Sequence, residues 1–243
     1  MAPAGYGDSV EGIHAVRAAF EAGRVERATV ERGRHQRGDL ATLVGDLHDR
    51  AIPVQLVDDV RPLSATSAPQ GIVASCRPLE FRDVDELVEA HSPASLLVVD
   101  HIEDTHNLGA IARSAVAAGV PRLVVPVRRS APLSAAAFKA AAGALEHCAI
   151  AVVSSIADAI RRLGQMGVWV VALDAGGTSP LFGLDILSEP VAVVIGGETG
   201  LARLVRQRAD VVASIPIDPA VESLNASVAA ALACFEIGRA RGR

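Results

Sequence analysis

The sequence predicts an α/β protein whose larger part is a parallel sheet with helices on both faces, preceded by a small α/β N-terminal domain. Three observations predict it. Short continuous apolar runs recur at 96–99, 123–125, 150–153, 169–173, 191–195 and 211–217, as strands buried on both faces do. Alanine-rich segments separate most of these runs, and strands alternating with helices imply parallel pairing. Upstream the period changes: Ile13, Val16, Ala19 and Phe20 recur at helical spacing, whereas 25–31 alternates like a strand.

Taken in order, a helix at 12–23, a strand at 25–31, a helix at 39–50 and strands at 53–57 and 71–76 form the small unit, assigned to 1–78. The stretch 77–93 mixes prolines, acids and a weak amphipathic pattern, which places a linker at 79–93 and a second domain at 94–243. The last helix, about 224–239, is apolar on more than one side through Val228, Ala231, Leu232, Phe235 and Ile237. Such a helix is buried within the fold or against a second copy of the chain.

The 243 residues suffice for one large or two modest domains, and with half of them apolar the chain is globular rather than disordered. A net charge of −5 argues against a protein that wraps nucleic acid with its whole surface, but phosphate contacts need only a local patch. Lys139 is the only lysine; arginines gather at Arg24, Arg27, Arg32, Arg34 and Arg37, and again at Arg239, Arg241 and Arg243. A solvated surface is the ordinary reading of such clusters. The apolar runs fall short of the ~20 residues of a membrane span, and the first residues lack the basic start and apolar core of a secretory signal. Cys76, Cys148 and Cys234 have no metal-ligand spacing and cannot all pair, which fits a reducing, cytoplasmic setting.

Function points to three polar loops, each following a strand-like run: 100–113, 196–200 and 216–227. Loops leaving the carboxyl ends of parallel strands share one edge, and ligands bind along it. Singly, each loop has a plain reading. Asn107 suits a helix N-cap, and Arg113, six residues on, emerges near the opposite side of that helix. His101, Glu103, Asp104 and His106 lack the spacing of a metal site. The 191–200 stretch lacks the dinucleotide fingerprint and the lysine of a phosphate-binding loop. Ser223, Asn225 and Ser227 are competing caps. Glu198, a carboxylate among glycines after a buried strand, is more pointed.

Together the three segments resemble the motifs of the SpoU-TrmH family of RNA ribose 2′-O-methyltransferases, within the SPOUT superfamily. The likeness is closest to the bacterial 23S ribosomal RNA guanosine 2′-O-methyltransferase branch (RlmB-like). It covers almost the whole chain, including the runs GIHAV (12–16), PQGIVA (69–74) and RSAPLSAAAFKAAAGALE. The resemblance implies a trefoil knot at the carboxyl end of the sheet, against the general rule that chains do not thread loops. It further implies S-adenosyl-L-methionine as methyl donor, a homodimer through the knot region, no metal, and RNA, most of all ribosomal RNA, as substrate.

Carried over by position, Asn107, Arg113, Glu198, Ser223 and Asn225 become the catalytic set. Ile195, Gly196, Gly197, Gly200, Ile215, Ile217, Ser223, Leu224 and Ser227 would hold the donor, and Arg32, Arg34 and Arg37 of the N-terminal domain would contact RNA. Two departures bear on the donor pocket: Glu198 is followed by Thr199 and Gly200, a loop one residue short, and Pro219 stands where the family has glycine. Three other readings stay open: an RNA-binding ribosome-assembly factor without efficient methyl transfer, a transfer RNA 2′-O-methyltransferase, and an unrelated nucleotide-binding enzyme on an ordinary open sheet.

Overall fold

In the computed structural model, which describes residues 6–197 and 199–243, the chain falls into two units. Met1–Glu80 with Pro132–His147 forms the first, and Phe81–Ala131 with Cys148–Arg243 the second. The first contains β1 (Ser9–Glu11), α1 (Ile13–Glu21), β2 (Val25–Glu31), α2 (Gly38–Asp49), β3 (Val54–Val57) and β4 (Ile72–Cys76). Its four strands lie in the order β1-β4-β2-β3, with only β2 and β3 parallel. Ala28 and Val30 of β2 are buried between exposed Arg27 and half-buried Thr29 and Glu31, an alternation with one core face, and a register shift between Val25 and Arg27 accompanies the burial of Val25 as well. Val16, Ala19 and Phe20 of α1 and Leu40, Leu43 and Leu47 of α2 are buried. The wholly buried carboxylate of Glu11 accepts from the Ala65 N–H at 2.9 Å and from Thr66 Oγ1 at 2.8 Å, which holds the loop before β4.

The second unit opens with α3 (Val84–Glu89), inside the stretch read as a linker. Glu86 accepts from the Asp83 N–H at 2.8 Å, and Val84 and Leu87 are buried; the helix is too short for its period to show in the sequence. There follow β5 (Ser95–Asp100), α4 (Thr105–Ala117) and β6 (Arg122–Pro126). The chain then contributes 132–147, with α5 (Ala135–Ala140), to the first unit. There Phe138 is fully buried, and Glu146 pairs with the guanidinium of Arg24 at 2.5 Å.

Returning to the second unit, the chain forms β7 (Ala149–Val153), α6 (Ile156–Gln165), β8 (Trp169–Leu173), β9 (Ser179–Pro180), β10 (Val191–Gly196), α7 (Arg203–Arg208), β11 (Val211–Ser214) and α8 (Ala226–Ala240). The seven strands are parallel, in the order β7-β6-β5-β10-β8-β11-β9. Leu96 and Val98 of β5 and Ala192 and Val194 of β10 join one core with Leu87, Ile160, Leu163 and Val205. The intervening Leu97, Val99, Val193 and Ile195 point to the other face, where α8 packs on β5, β10 and α4. Both faces are thus covered, which is why the strands read as continuous apolar runs.

Two expectations shift. β11 stops at Ser214 rather than 217; Ile215, Pro216 and Ile217 leave the sheet, and proline has no N–H for a ladder. On α8, Ala230, Ala233, Cys234 and Ile237 are buried, but Val228 and Phe235 are 47% and 55% exposed. One apolar side of this helix therefore faces outward within the chain.

Candidate functional site

A cavity of about 450 Å³ lies at the carboxyl ends of the parallel strands. Ile195 and Gly196 line it from the end of β10, Gly197 and Gly200 from the loop after it, and Ile215 and Ile217 from the segment after β11. Ser223, Leu224 and Asn225 complete it from the approach to α8, with Asn107 of α4 opposite. Segments distant in sequence therefore meet at one place, because parallel strands deliver their loops to the same edge.

Backbone packing explains the glycines. A Cβ on Gly197 would sit 2.2 Å from the carbonyl oxygen of His101, and one on Gly196 would sit 2.7 Å from the carbonyl carbon of Gly200. Only glycine permits such an approach. Gly200, with φ +75°, returns its N–H to the Gly197 carbonyl at 2.9 Å. Glu198 lies outside the described residues.

The Asn107 cap reading is corrected. Asp104 is the N-cap of α4, accepting from the His106 N–H at 2.9 Å, and Asn107 sits in the first turn. Its Oδ1 accepts from Asn225 Nδ2 at 3.1 Å. Of the competing caps before α8, Asn225 takes the role: its Oδ1 accepts from the Ser227 N–H at 2.8 Å and from Ser227 Oγ at 2.6 Å. One side chain thus starts α8 and ties it to α4.

Arg113 and Ser227 do not line the cavity. At about 100° per residue, Arg113 is roughly 240° around α4 from Asn107; it is exposed and forms no ion pair with a described residue. Pro219 is also outside the lining, contrary to expectation. It is the second residue of a turn closed by the Val221 N–H on the Asp218 carbonyl at 3.0 Å, where its fixed φ fits.

Leu173 at the end of β8, Asp174 and Ala175 after it, and Ala226 and Ala229 of α8 line the cavity without having been singled out from the sequence. The run LDAGG after an apolar strand carries the same strand-then-glycine signal as 191–200. There Asp174 Oδ1 accepts from the Gly176 N–H at 2.8 Å and lies 3.3 Å from Arg206 Nη1. A Cβ on Gly177 would meet the backbone of Ala213 at 2.4 Å. The described lining thus holds one carboxylate, Asp174, and no cation.

Beneath the loops, the fully buried Asp100 accepts from the Ala202 N–H at 3.0 Å; its Oδ1 is 2.6 Å from Nδ1 of His101, though not aligned as a hydrogen bond. Burial pushes the Cys76, Cys148 and Cys234 thiols up to about 12, so none is an available nucleophile. Among the described residues no group of histidine, cysteine and carboxylate side chains is placed to hold a metal, and no helix is long and apolar enough to cross a membrane.

In the first unit, Arg32, Arg34 and Arg37 are exposed. Arg32 Nε is 3.3 Å from Asp58 and Arg34 Nε 3.9 Å from Glu31. Arg34 and Arg61 line a cleft of about 550 Å³ with Gln70 and Gly71. Arg24 is different: it is buried, stacks 5.4 Å from the Phe138 ring centre and holds Glu146 by two hydrogen bonds.

Residues 94–235 match the SpoU rRNA Methylase family, and residues 9–82 match the domain described as RNA 2′-O ribose methyltransferase substrate binding. A Mycobacterium ulcerans protein described as an uncharacterized tRNA/rRNA methyltransferase is 41% identical over 199 residues, covering 79% of this chain and 64% of that protein. The match therefore spans less than two thirds of that relative's length. A Staphylococcus saprophyticus protein, placed by its description in the TrmH family of tRNA/rRNA methyltransferases, is 33% identical over 238 residues, 96% of this chain and 95% of its own. In fold the chain is similar to the SpoU methyltransferase AviRb of Streptomyces viridochromogenes, crystallised with AdoMet, with TM-score 0.77 at 24% identity over 96% of this chain and 90% of that one. With its larger part covered by the family match, the chain belongs to the SpoU rRNA Methylase family.

Proposed function

We propose that the chain is an S-adenosyl-L-methionine-dependent methyltransferase acting on a ribose 2′-hydroxyl of RNA, with ribosomal RNA as the favoured substrate. The observation that carries this reading is the convergence of Asn107, the 195–200 loop and 215–225 on one cavity, in a chain whose first unit matches an RNA substrate-binding domain.

The lining fits such a donor. Its volume lies in the range of small-ligand sites, glycine backbone can approach a ligand closely, and Ile195, Ile215, Ile217 and Leu224 offer apolar walls. Asp174 is the carboxylate of the described lining, with its charge shared by Arg206 at 3.3 Å. When bound, S-adenosylmethionine supplies a methyl group already made electrophilic by its sulfonium. The chain must then orient a weakly acidic hydroxyl, and positioning contributes as much as ~7–11 kcal/mol in the best cases.

Arg113 is assigned to the phosphate beside the target ribose and to the hydroxyl itself. A guanidinium with pKa above ~12 is a poor base, so it orients and stabilises charge, while a phosphate oxygen or water carries the proton away. Asn107 and Asn225 set the geometry of the two helix starts, and Ser223 and Glu198 complete the nucleotide contacts. In the first unit, Arg32, Arg34 and Arg37 supply RNA phosphate contacts.

The strand order supports the knot: β10 lies between β5 and β8, and the chain after β11 returns to pack α8 on β5, β10 and α4. A homodimer through α8 is supported by exposed Val228 and Phe235, two helical turns apart, and by exposed Phe182. The neighbouring Gly183 bonds Glu236 of the same helix at 2.7 Å. Isologous pairing needs such a self-complementary apolar patch. The reading is tested by incubating the full chain with methyl-labelled S-adenosylmethionine and ribosomal RNA and mapping ribose methylation. Label at a 2′-oxygen is expected; donor binding without transfer to any ribosomal or transfer RNA would instead favour an assembly factor.

A further inference from the structure

The amino ends of the same parallel strands hold a second cavity, of about 330 Å³. Ser95 at the start of β5, Gly119 and Val120 ahead of β6, and Arg241 and Arg243 after α8 line it, with His91 at its edge. Arg122, the first residue of β6 and outside this lining, is only 8% exposed, and its Nη1 is buried without a hydrogen-bond partner. A buried guanidinium nitrogen left unpaired is costly. Burial first, then the charge of Arg243, holds Arg122 below the usual arginine value. Burial and then the charges of Arg122 and Arg243 do the same to Arg241.

Arg241 gives its donors to the carbonyls of Leu187, Pro93, Ala94 and Glu189, so it is locked in place. Arg243 lies against Gly119, where a Cβ would fall 1.4 Å from its Nη1 and where φ is +75°. Glycine at that point lets a guanidinium rest on bare backbone. The carboxylate acting on this group among the described residues is that of Glu189, whose pull on Arg241 is the weakest of its influences.

We propose that this cavity binds a phosphate-type oxyanion, free or carried by a small molecule, on the guanidinium of Arg243, within the positive field of the fixed Arg241 and of Arg122. Like charges gathered without a counter-ion repel, and a dianion would remove that repulsion. The planar guanidinium fork matches phosphate oxygens. The volume is at the low end for small-ligand sites, which favours a small phosphorylated molecule over a nucleic-acid duplex. With β5 six residues long at ~3.3 Å per residue, the site is on the order of 20 Å from the donor cavity, and the inference stands independently of the proposed methyl transfer.

The test is thermal unfolding of the full chain titrated with sodium phosphate at fixed ionic strength, against sodium chloride alone. A ligand that binds only the folded state raises the midpoint in a saturable way. Phosphate is expected to do so, with at least tenfold weaker apparent binding in Arg243→Ala. Arg122→Gln should weaken the effect as well; because it can fail to fold, the exposed Arg243 carries the decision. Glycerol 3-phosphate in parallel separates the sources: tighter binding than phosphate with the same loss in Arg243→Ala supports a phosphorylated small molecule, and weaker binding supports the free ion. No saturable shift beyond chloride, or a shift that Arg243→Ala leaves intact, overturns the proposal.

Discussion

The two ends of the parallel sheet share the same strands and gather opposite chemistry. At the carboxyl end the described lining is glycine backbone, aliphatic walls and one carboxylate; at the amino end it is arginine without a paired carboxylate. Strand pairing is indifferent to charge, so the difference resides in what the loops and helix termini bring to each edge. Helix α8 touches both: Asn225, Ala226 and Ala229 line the first cavity, and Ile237, Gly238 and Arg241 the second. One end suits the proposed donor and the other an oxyanion.

Substitutions that act at one end alone test this contrast. The largest effect belongs to Arg113→Ala, which is expected to slow methyl transfer by about 10²–10³, the typical loss of one charge-stabilising donor, with donor affinity unchanged by calorimetry. Transfer at the wild-type rate would remove Arg113 from the mechanism. Gly197→Ala follows: its methyl would meet the fixed His101 carbonyl at 2.2 Å, and overpacking of that kind costs about 1–3 kcal/mol. Chemical unfolding should register this loss, and donor titration a weakened site. At the other end, Gly119→Ala strains a backbone at φ +75° and displaces the flexible Arg243, so it should cost stability while donor affinity does not move; if affinity did move, the ends would not be independent.

Glu236 probes the helix that joins them. Its carboxylate, buried at the residue level, accepts from Arg239 at 2.7 Å and from the Gly183 N–H at 2.7 Å. The Arg239 hydrogen bonds are the main cause holding it below the ordinary carboxylate value. Stability from a lowered carboxyl is present above the unfolded value near ~4.3 and is lost as pH falls through the folded value. Glu236→Gln should therefore destabilise the chain by about 1–3 kcal/mol at pH 7, with the gap to wild type closing below pH ~4. A gap that persists in acid would assign the effect to packing.

Much of this was legible in the sequence, and the exceptions have physical reasons. Period and run length placed β2 and β8 at their observed bounds, because a buried strand leaves an unbroken or alternating apolar record. β1, β9 and α3 are too short to express a period. The partnership of Arg24 with Glu146 spans 122 residues, and no local pattern reports a contact of that range. At the site, Gly196 and Gly197 were assigned through the family resemblance, since the strand-then-glycine pattern alone reads as a plain turn, and the same pattern at Asp174 drew no assignment. Asn107 carried a cap's residue type but not its position, since Asp104 stands three residues ahead with the same capacity. Arg122 was invisible as part of the positive field at the amino end: the sequence shows an arginine opening a strand, and only burial makes its charge a demand.

The most direct measurement is calorimetric titration of the full chain with S-adenosylmethionine, for wild type and for Asn225→Ala, which removes both the α8 cap and the bond to Asn107. The account predicts one saturable site per chain in the wild type, weakened about tenfold or more in the variant and untouched in Arg243→Ala. Absence of saturable heat in the wild type, or equal affinity in Asn225→Ala, would contradict it.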